Sequence, residues 1–201
     1  ATIVVINKPG GLLAVPGRGP DKQDCATTRL RRLFPAMISQ PAVHRLDMFT
    51  SGLMVFAVTP AAHRTLSQSF AERRVEKIYT AVVAGIIAQE SGEIRLPFRL
   101  DPDNRPRQIY DTVHGKLGIT FWRKIAVEGA NTRLAFTPLT GRTHQLRVHA
   151  AHPLGLGAPI LGDSLYGTGR DGEQMLLHAT FLRFHHPQNN RRIEFTSNPP
   201  F

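Results

Sequence analysis

The sequence predicts an α+β fold built on a mixed, mainly antiparallel β-sheet, bent into two lobes and flanked by helices. Three observations carry this. Apolar runs of strand length, rich in β-branched and aromatic residues, recur from "TIVVI" near the start to "RRIEFTS" near the end. Two of them, "GITFWRKIAV" and "TRLAFTPL", alternate and are joined through a short turn at Gly129 to Asn131, which is a hairpin signature. Capped helical patterns are interspersed with the strands, and no internal repeat or low-complexity linker divides the chain.

Taken in order, residues 2 to 6 read as a buried strand, and "NKPGGLLAVPG" as a turn followed by a second short extended piece. Asp24 is positioned to cap a helix over 25 to 34, with Leu30, Leu33 and Phe34 inward and Arg29, Arg31 and Arg32 outward as a basic ridge. After "HRLDMFTSG" comes the strand "LMVFAVT". Thr59 followed by Pro60 is a cap and a first-turn proline, opening a helix in which Ala62, Leu66 and Phe70 recur every four residues. "KIYTAVVAGII" returns to strand, and "RLDPDNRPR", 99 to 107, is a proline-broken basic loop unlikely to be buried. "TGRTHQLRVHAAH" opens on a glycine turn and continues as a helix from about Thr143. Residues 154 to 173 form a glycine-rich loop, and "MLLHATFLRF" and "RRIEFTS" are the last strands.

Twenty-five Lys and Arg oppose fifteen Asp and Glu, a formal charge of +10 over 201 residues. Arginine predominates, and its planar guanidinium suits bidentate phosphate contacts and stacking on bases, so nucleic acid is expected ahead of an anionic membrane surface. No apolar run reaches the roughly 18 to 20 residues that cross a bilayer, and no signal peptide is visible, which points to a cytoplasmic protein. The single cysteine, Cys25, excludes an internal disulfide and a cysteine metal cage and reads as a small, semi-buried side chain.

Several chemistries drop out. "GGLLAVPGRG" lacks the Gly-Lys-Ser/Thr of a phosphate-binding loop. His144, His149 and His152 put no clean pair on one helical face, so no metal site is expected. Ser51 sits in a turn with no Gly-x-Ser-x-Gly and no obvious base. What remains is an acid, several arginines and a tyrosine, each where a strand meets a loop. Singly, each has a bland account: Asp47 as a turn cap, Arg142 as a phosphate contact, Tyr79 as a core-edge ring with a wet hydroxyl.

Together, "NKPGGLLAVP", "HRLDMFTSGLMVFA", "KIYTAVV", "TGRTHQLRVH", "PILGDSLYG" and "LLHA" stand in the order and approximate spacing of the RluA-type pseudouridine synthases. The resemblance runs from residue 3 to about 196, and its subtype looks like the short bacterial RluA proteins, through "VPGR", "HRLDM" and "NRPRQ". Departures are Met48 and Phe49, where many relatives carry a polar pair, and Ala158 in place of histidine. The absent initiator methionine leaves room for a preceding strand or S4-type RNA-binding domain.

The resemblance implies one catalytic domain over 1–201, with an active-site cleft between its two lobes. It implies a cofactor-independent isomerisation of uridine in RNA: the glycosidic C1'–N1 bond breaks, the uracil rotates, and C5 rejoins the ribose. Bacterial 23S rRNA is the first expected substrate and a tRNA anticodon stem-loop the second, acted on by a monomer. The target base must leave its stack, at about a few kcal/mol. Asp47 is assigned the central carboxylate, which attacks or deprotonates the ribose or adds to the base. A nearby guanidinium favours its charged form. Arg142 is assigned that basic partner, aided by the N–H groups of the helix after it. Tyr79 is assigned a place against the uracil ring, near its C5 proton, and Arg45 the space left by the flipped base. Ile160, Leu176 and Leu177 would form the apolar pocket wall, and Arg18, Arg29, Arg32, Arg105 and Arg107 would contact the RNA backbone. A rival reading is a catalytically silent RNA-binding or ribosome-assembly protein of the same fold; a basic nuclease, which usually uses a metal or paired histidines, is a third.

Overall fold

The computed structural model describes residues 1–170 and 172–201; Asp171, inside the expected loop 154–173, lies outside them. In chain order the elements are β1 (Ile3–Lys8), α1 (Ala26–Leu33), β2 (Ser51–Ala57), α2 (Pro60–Ala71), β3 (Glu76–Ala84), β4 (Ser91–Leu100), β5 (Gln108–Tyr110), β6 (Lys116–Glu128), β7 (Asn131–Pro138), α3 (Gln145–Ala151), β8 (Leu177–His185) and β9 (Arg192–Thr196). They fall into two compact units, Ala1–Lys77 with His178–Pro200, and Ile78–Leu177 with Phe201. Within each unit, among the described residues, strand pairing is antiparallel except between β2 and β8, so the expected mixed, mainly antiparallel sheet character is present.

In the first unit β2 is the central strand. It pairs antiparallel with β1 from Ile3↔Ala57 to Lys8↔Gly52, and parallel with β8 through Ser51↔His178 and Gly52↔Ala179; β9 adds to β8. Every residue of β2 is buried, which is why "SGLMVFA" reads as a near-continuous apolar run rather than an alternation. Leu53, Val55 and Ala57 pack with Ala62 and Leu66 of α2 and with Leu182 and Phe184 of β8. Helix α2 starts as its sequence dictates: the Thr59 hydroxyl accepts from the Ala62 N–H at 3.3 Å, and Pro60 takes the first turn.

Helix α1 departs from expectation. Its cap is Cys25, whose sulfur accepts from the Thr28 N–H at 3.4 Å, while Asp24 turns to a bidentate pair with Arg29. Cys25 is fully buried rather than semi-buried. Leu30 faces inward, but Leu33 is 73% exposed and Phe34 36% exposed, because the helix ends at Leu33 and carries both away from the core. The second extended piece shrinks to an isolated bridge between Leu13 and Cys25.

In the second unit the strand order is β3-β7-β6-β4-β5, all antiparallel. The β6–β7 hairpin closes at Glu128↔Asn131 with Gly129 at φ 60°, as its sequence predicts. Strands β4 and β5 were not expected. "SGEIRLPFRL" does alternate, with Ile94, Leu96 and Phe98 buried, but Pro97 reads as a break in the pattern. The exposed basic loop is therefore shorter than predicted, starting after Leu100, and Asp101 is buried at its base.

Candidate active site

The Asp47 loop is anchored by one buried side chain on each side of the acid. Leu46 and Thr50 are buried, Arg45 and Met48 face outward, and Asp47 is half-buried between them. The Thr50 N–H donates to the Asp47 carbonyl at 3.1 Å, closing a tight turn before β2 begins at Ser51. On its N-terminal side the loop is held by His44: its Nε2 accepts the Val55 N–H at 3.0 Å and its ring stacks on Phe70 at 4.5 Å. Burial, reinforced by the Lys77 charge, pushes the His44 imidazole down to about 3, so the ring is neutral and remains an acceptor at physiological pH.

Beneath the turn lies Lys8, 0% exposed at the end of β1. Its ammonium donates to the carbonyls of Pro9, Leu12 and Met48 at 2.8, 2.7 and 3.0 Å, tying the "NKPGG" turn to the residue after Asp47. Burial lowers the Lys8 ammonium to about 8 while the Asp47 charge pulls the other way, so a buried cation stands close to the carboxylate. On the C-terminal side, Ser51 Oγ meets His178 Nδ1 at 2.8 Å and His178 Nε2 meets Ser197 Oγ at 3.0 Å. Ser51 thus has an imidazole partner after all. With Ser51 7% and His178 1% exposed, the pair is a structural brace and not a nucleophile facing a substrate. Gly52, at φ 112°, lies so close to β8 that a Cβ would stand 2.4 Å from the Ala179 nitrogen.

In the second unit, Tyr79 is half-buried on β3, opposite Phe136 of β7. The same strand receives the 159–161 and 176 segments: Ala84 N–H donates to Pro159, Leu161 N–H to Val82, and Val82 N–H to Leu176. Ile160 and Leu177 are interior side chains, each 2% exposed, whereas Leu176 is half-buried and keeps open surface.

Arg142 is exposed on a turn that Gln145 staples in place. Gln145 Oε1 accepts from the Arg142 N–H at 3.0 Å and from Thr140 Oγ1 at 2.7 Å, while its Nε2 donates to Ile119 O and Thr120 Oγ1, both at 2.9 Å. Arg142 Nε lies 3.4 Å from the Leu117 carbonyl. His144 follows at φ 56°, with Nδ1 2.9 Å from Tyr166 Oη, and Tyr166 Oη in turn accepts the Gln108 N–H at 2.7 Å. Helix α3 starts at Gln145, later than expected, and has seven residues; side chains rather than its dipole fix this turn. Below it, Arg147 and Asp163 form a buried bidentate pair at 2.8 and 2.7 Å. Burial alone would raise the Asp163 carboxyl, but Arg147 and the Leu165 and Tyr166 N–H groups hold it below its ordinary value.

Arg18, Arg29, Arg32, Arg105 and Arg107 are all exposed, the surface position expected of their segments. Arg29 is, however, engaged by Asp24, and the Arg107 guanidinium lies 5.5 Å from the centre of the Tyr166 ring. Sequence reasoning did not single out Lys8, Gln145, Tyr166 or His178. All four stand inside the quoted motifs, and Lys8 gives a further signal, a cation closing a buried strand just before Pro-Gly-Gly.

Residues 2–152 match the family model described as RNA pseudouridylate synthase. Two curated relatives, each named dual-specificity RNA pseudouridine synthase RluA, come from Pasteurella multocida and Escherichia coli K12. They are 43% identical over 202 residues and 42% identical over 205, covering 98% and 99% of this chain and 90% of each relative. Among solved structures, human RNA Pseudouridylate Synthase Domain Containing 1 superposes with a TM-score of 0.77 at 30% identity, covering 100% of this chain and 81% of that one. Human RNA Pseudouridylate Synthase Domain Containing 4, at 24% identity and TM-score 0.75 over 99% of this chain and 86% of that one, shares the fold. A matched model over most of the chain and near-full-length relatives lead to one conclusion: this chain belongs to the RNA pseudouridylate synthase family.

Proposed function

We propose that the chain isomerises specific uridines in bacterial 23S rRNA and in a tRNA anticodon stem-loop, with Asp47 as the essential carboxylate and no cofactor. The observation that carries this reading is the near-full-length similarity to RluA relatives, combined with an Asp47 loop held rigid from both ends and from below. The words "dual-specificity" in those relatives' names support two kinds of RNA substrate. The formal charge of +10 supports a polyanion.

In this mechanism the uridine leaves its stack, Arg45 fills the space, and Asp47 acts on the ribose or the base to release the C1'–N1 bond. The uracil turns, its C5 bonds to C1', the C5 proton leaves and N1 gains one, so the reaction balances without redox chemistry. Tyr79 lies against the uracil and aids C5 deprotonation, Arg142 is the basic partner of the carboxylate, and Leu176, backed by the interior side chains of Ile160 and Leu177, forms the apolar wall. Fixed loops suit such work because a displaced carboxylate loses the oriented geometry on which the rate depends. The same reading makes residues 1–201 one catalytic domain, acting as a monomer in the cytoplasm; among the described residues no helix is long and apolar enough to cross a membrane.

The test is tritium release from C5-labelled uridine RNA. Asp47→Asn is expected to lower turnover by about a hundredfold or more while RNA affinity is retained. Unchanged turnover removes Asp47 from its role. A wild type that never releases label from any cellular RNA is the silent binder, and cleavage of the labelled strand identifies a nuclease.

A further inference from the structure

Beside the Asp47 loop, residues 39–45, helix α1 and the Val15–Pro16 segment line a half-open cavity of about 620 Å³. That volume lies within the roughly 300–1,000 Å³ of small-ligand sites. Its lining is divided by chemistry. Val15, Pro16, Pro41, Ala42 and Val43 give apolar surface, Ser39 and Gln40 supply a hydroxyl and an amide, and Arg31 and Arg45 bring two guanidinium groups. No carboxylate lines it, although Arg29 of the same helix is paired with Asp24 just before the helix start. His44, also in the lining, is neutral. A cavity with two cations, no anion, apolar side chains and a side-chain amide in its lining is complementary to a nucleotide: phosphate for the guanidinium groups, a flat ring for the apolar side chains, a hydrogen-bonding edge for Gln40.

Continuity with the Asp47 loop identifies which nucleotide. Arg45 lines this cavity and is two residues from Asp47, so their Cα atoms are at most about 7 Å apart. A strand whose uridine reaches Asp47 therefore passes close to Arg45 and to the cavity that Arg45 lines. We propose that this cavity is a second nucleotide subsite, which takes one unstacked base flanking the modified uridine, with Arg31 on its phosphate and Ser39 and Gln40 on its base edge. Such a subsite reads a single-stranded loop by the base that can swing out of it, which makes it a determinant of RNA choice and not of bond making. The inference rests on the reading that the substrate is RNA.

The test uses the full chain and a fluorescent anticodon stem-loop RNA carrying uridine in its loop. Arg31→Ala is expected to weaken binding about tenfold and to reduce the slope of log affinity against log salt by about one unit. Arg64→Ala, which removes the same charge from an exposed position on α2, is expected to change affinity less than twofold. Loop nucleotides are then made abasic one at a time. One position other than the target uridine should cost the wild type about tenfold and Gln40→Ala less than twofold. An Arg31→Ala affinity within twofold of wild type, or abasic costs identical in wild type and Gln40→Ala at every position, overturns the subsite. Tritium release by the wild type on the same RNA separates the two ideas: release without Gln40 coupling sinks the subsite and leaves the isomerase, and coupling without release leaves the subsite on a protein that does not turn over. An RNA that the wild type does not bind overturns both.

Discussion

Asp163→Asn is the substitution whose effect the geometry specifies most fully. The carboxylate is 1% exposed and meets an Arg147 side chain that is 6% exposed, through two hydrogen bonds of 2.8 and 2.7 Å. Its Oδ1 also accepts from the Leu165 and Tyr166 N–H groups at 2.9 and 3.0 Å. Asparagine can keep Oδ1 and these backbone bonds, but it sets an amide N–H₂ against the Arg147 Nε–H and removes the charge opposite a buried guanidinium. Two unit charges at about 4 Å with an effective dielectric near 20 interact by about 4 kcal/mol, and breaking a buried pair costs about 3–5 kcal/mol. For a chain of this length that lowers the melting temperature by about 6–20 °C. Replacing both partners, Asp163→Leu with Arg147→Met, should cost less than the single change because no charge is stranded. Urea unfolding followed by circular dichroism measures both variants. If Asp163→Asn loses under about 1 kcal/mol, the pair behaves as a solvent-screened contact and the reasoning fails. Turnover is a second readout, since the Asp163 turn carries Tyr166, whose hydroxyl meets His144 two residues after Arg142.

Two further outcomes are expected. His149 is fully buried with neither ring nitrogen hydrogen-bonded, and burial depresses its imidazole from 6.5 to about 4. The unfolded chain therefore takes up this proton first: stability is complete above about pH 6.5 and falls as pH drops towards 4, by about 2 kcal/mol between pH 7 and 5. Urea midpoints across that range, compared with those of His149→Met, would show a flatter profile in the variant; parallel profiles would refute the assignment. Gly52→Ala combines an unfavourable φ of 112° with backbone atoms of Ala179 at 2.4 to 2.8 Å from the new Cβ. Since neither strand can rotate away, the loss should exceed about 3 kcal/mol, and a thermal melt within about 1 °C of wild type would contradict the packing.

Much of the fold was legible because local signals and burial agree along the central elements. Thr59 with Pro60 starts α2, Gly129 turns the β6–β7 hairpin, and the buried "LMVFA" is a strand in the middle of its unit. The failures have physical causes. Asp24 is a good cap by residue type, yet Arg29 five residues on offers it a charged partner, and the capping role passes to Cys25, which no propensity scale would choose. Pro97 disguised β4, although Ile94, Leu96 and Phe98 keep strict alternation around it. Leu33 and Phe34 obey the helical period on paper; the helix stops before they can be turned to the core.

The acid at position 47 could be picked out from sequence because a family motif surrounds it, but what holds it in place could not. Its loop is braced by Lys8 from the end of β1, by His44 against Val55 and Phe70, and by His178 from β8 through Ser51. These contacts span 40, 11 and 127 residues of chain. None follows from a period or a cap, since each exists only after β1, β2 and β8 have paired. Each brace also has a polar group withdrawn from water, and a buried polar group stabilises only when its partner is in register. Folding of the whole first unit is therefore what fixes the Asp47 turn: a substitution at His178, far along the chain, should disturb that turn as surely as one at Thr50.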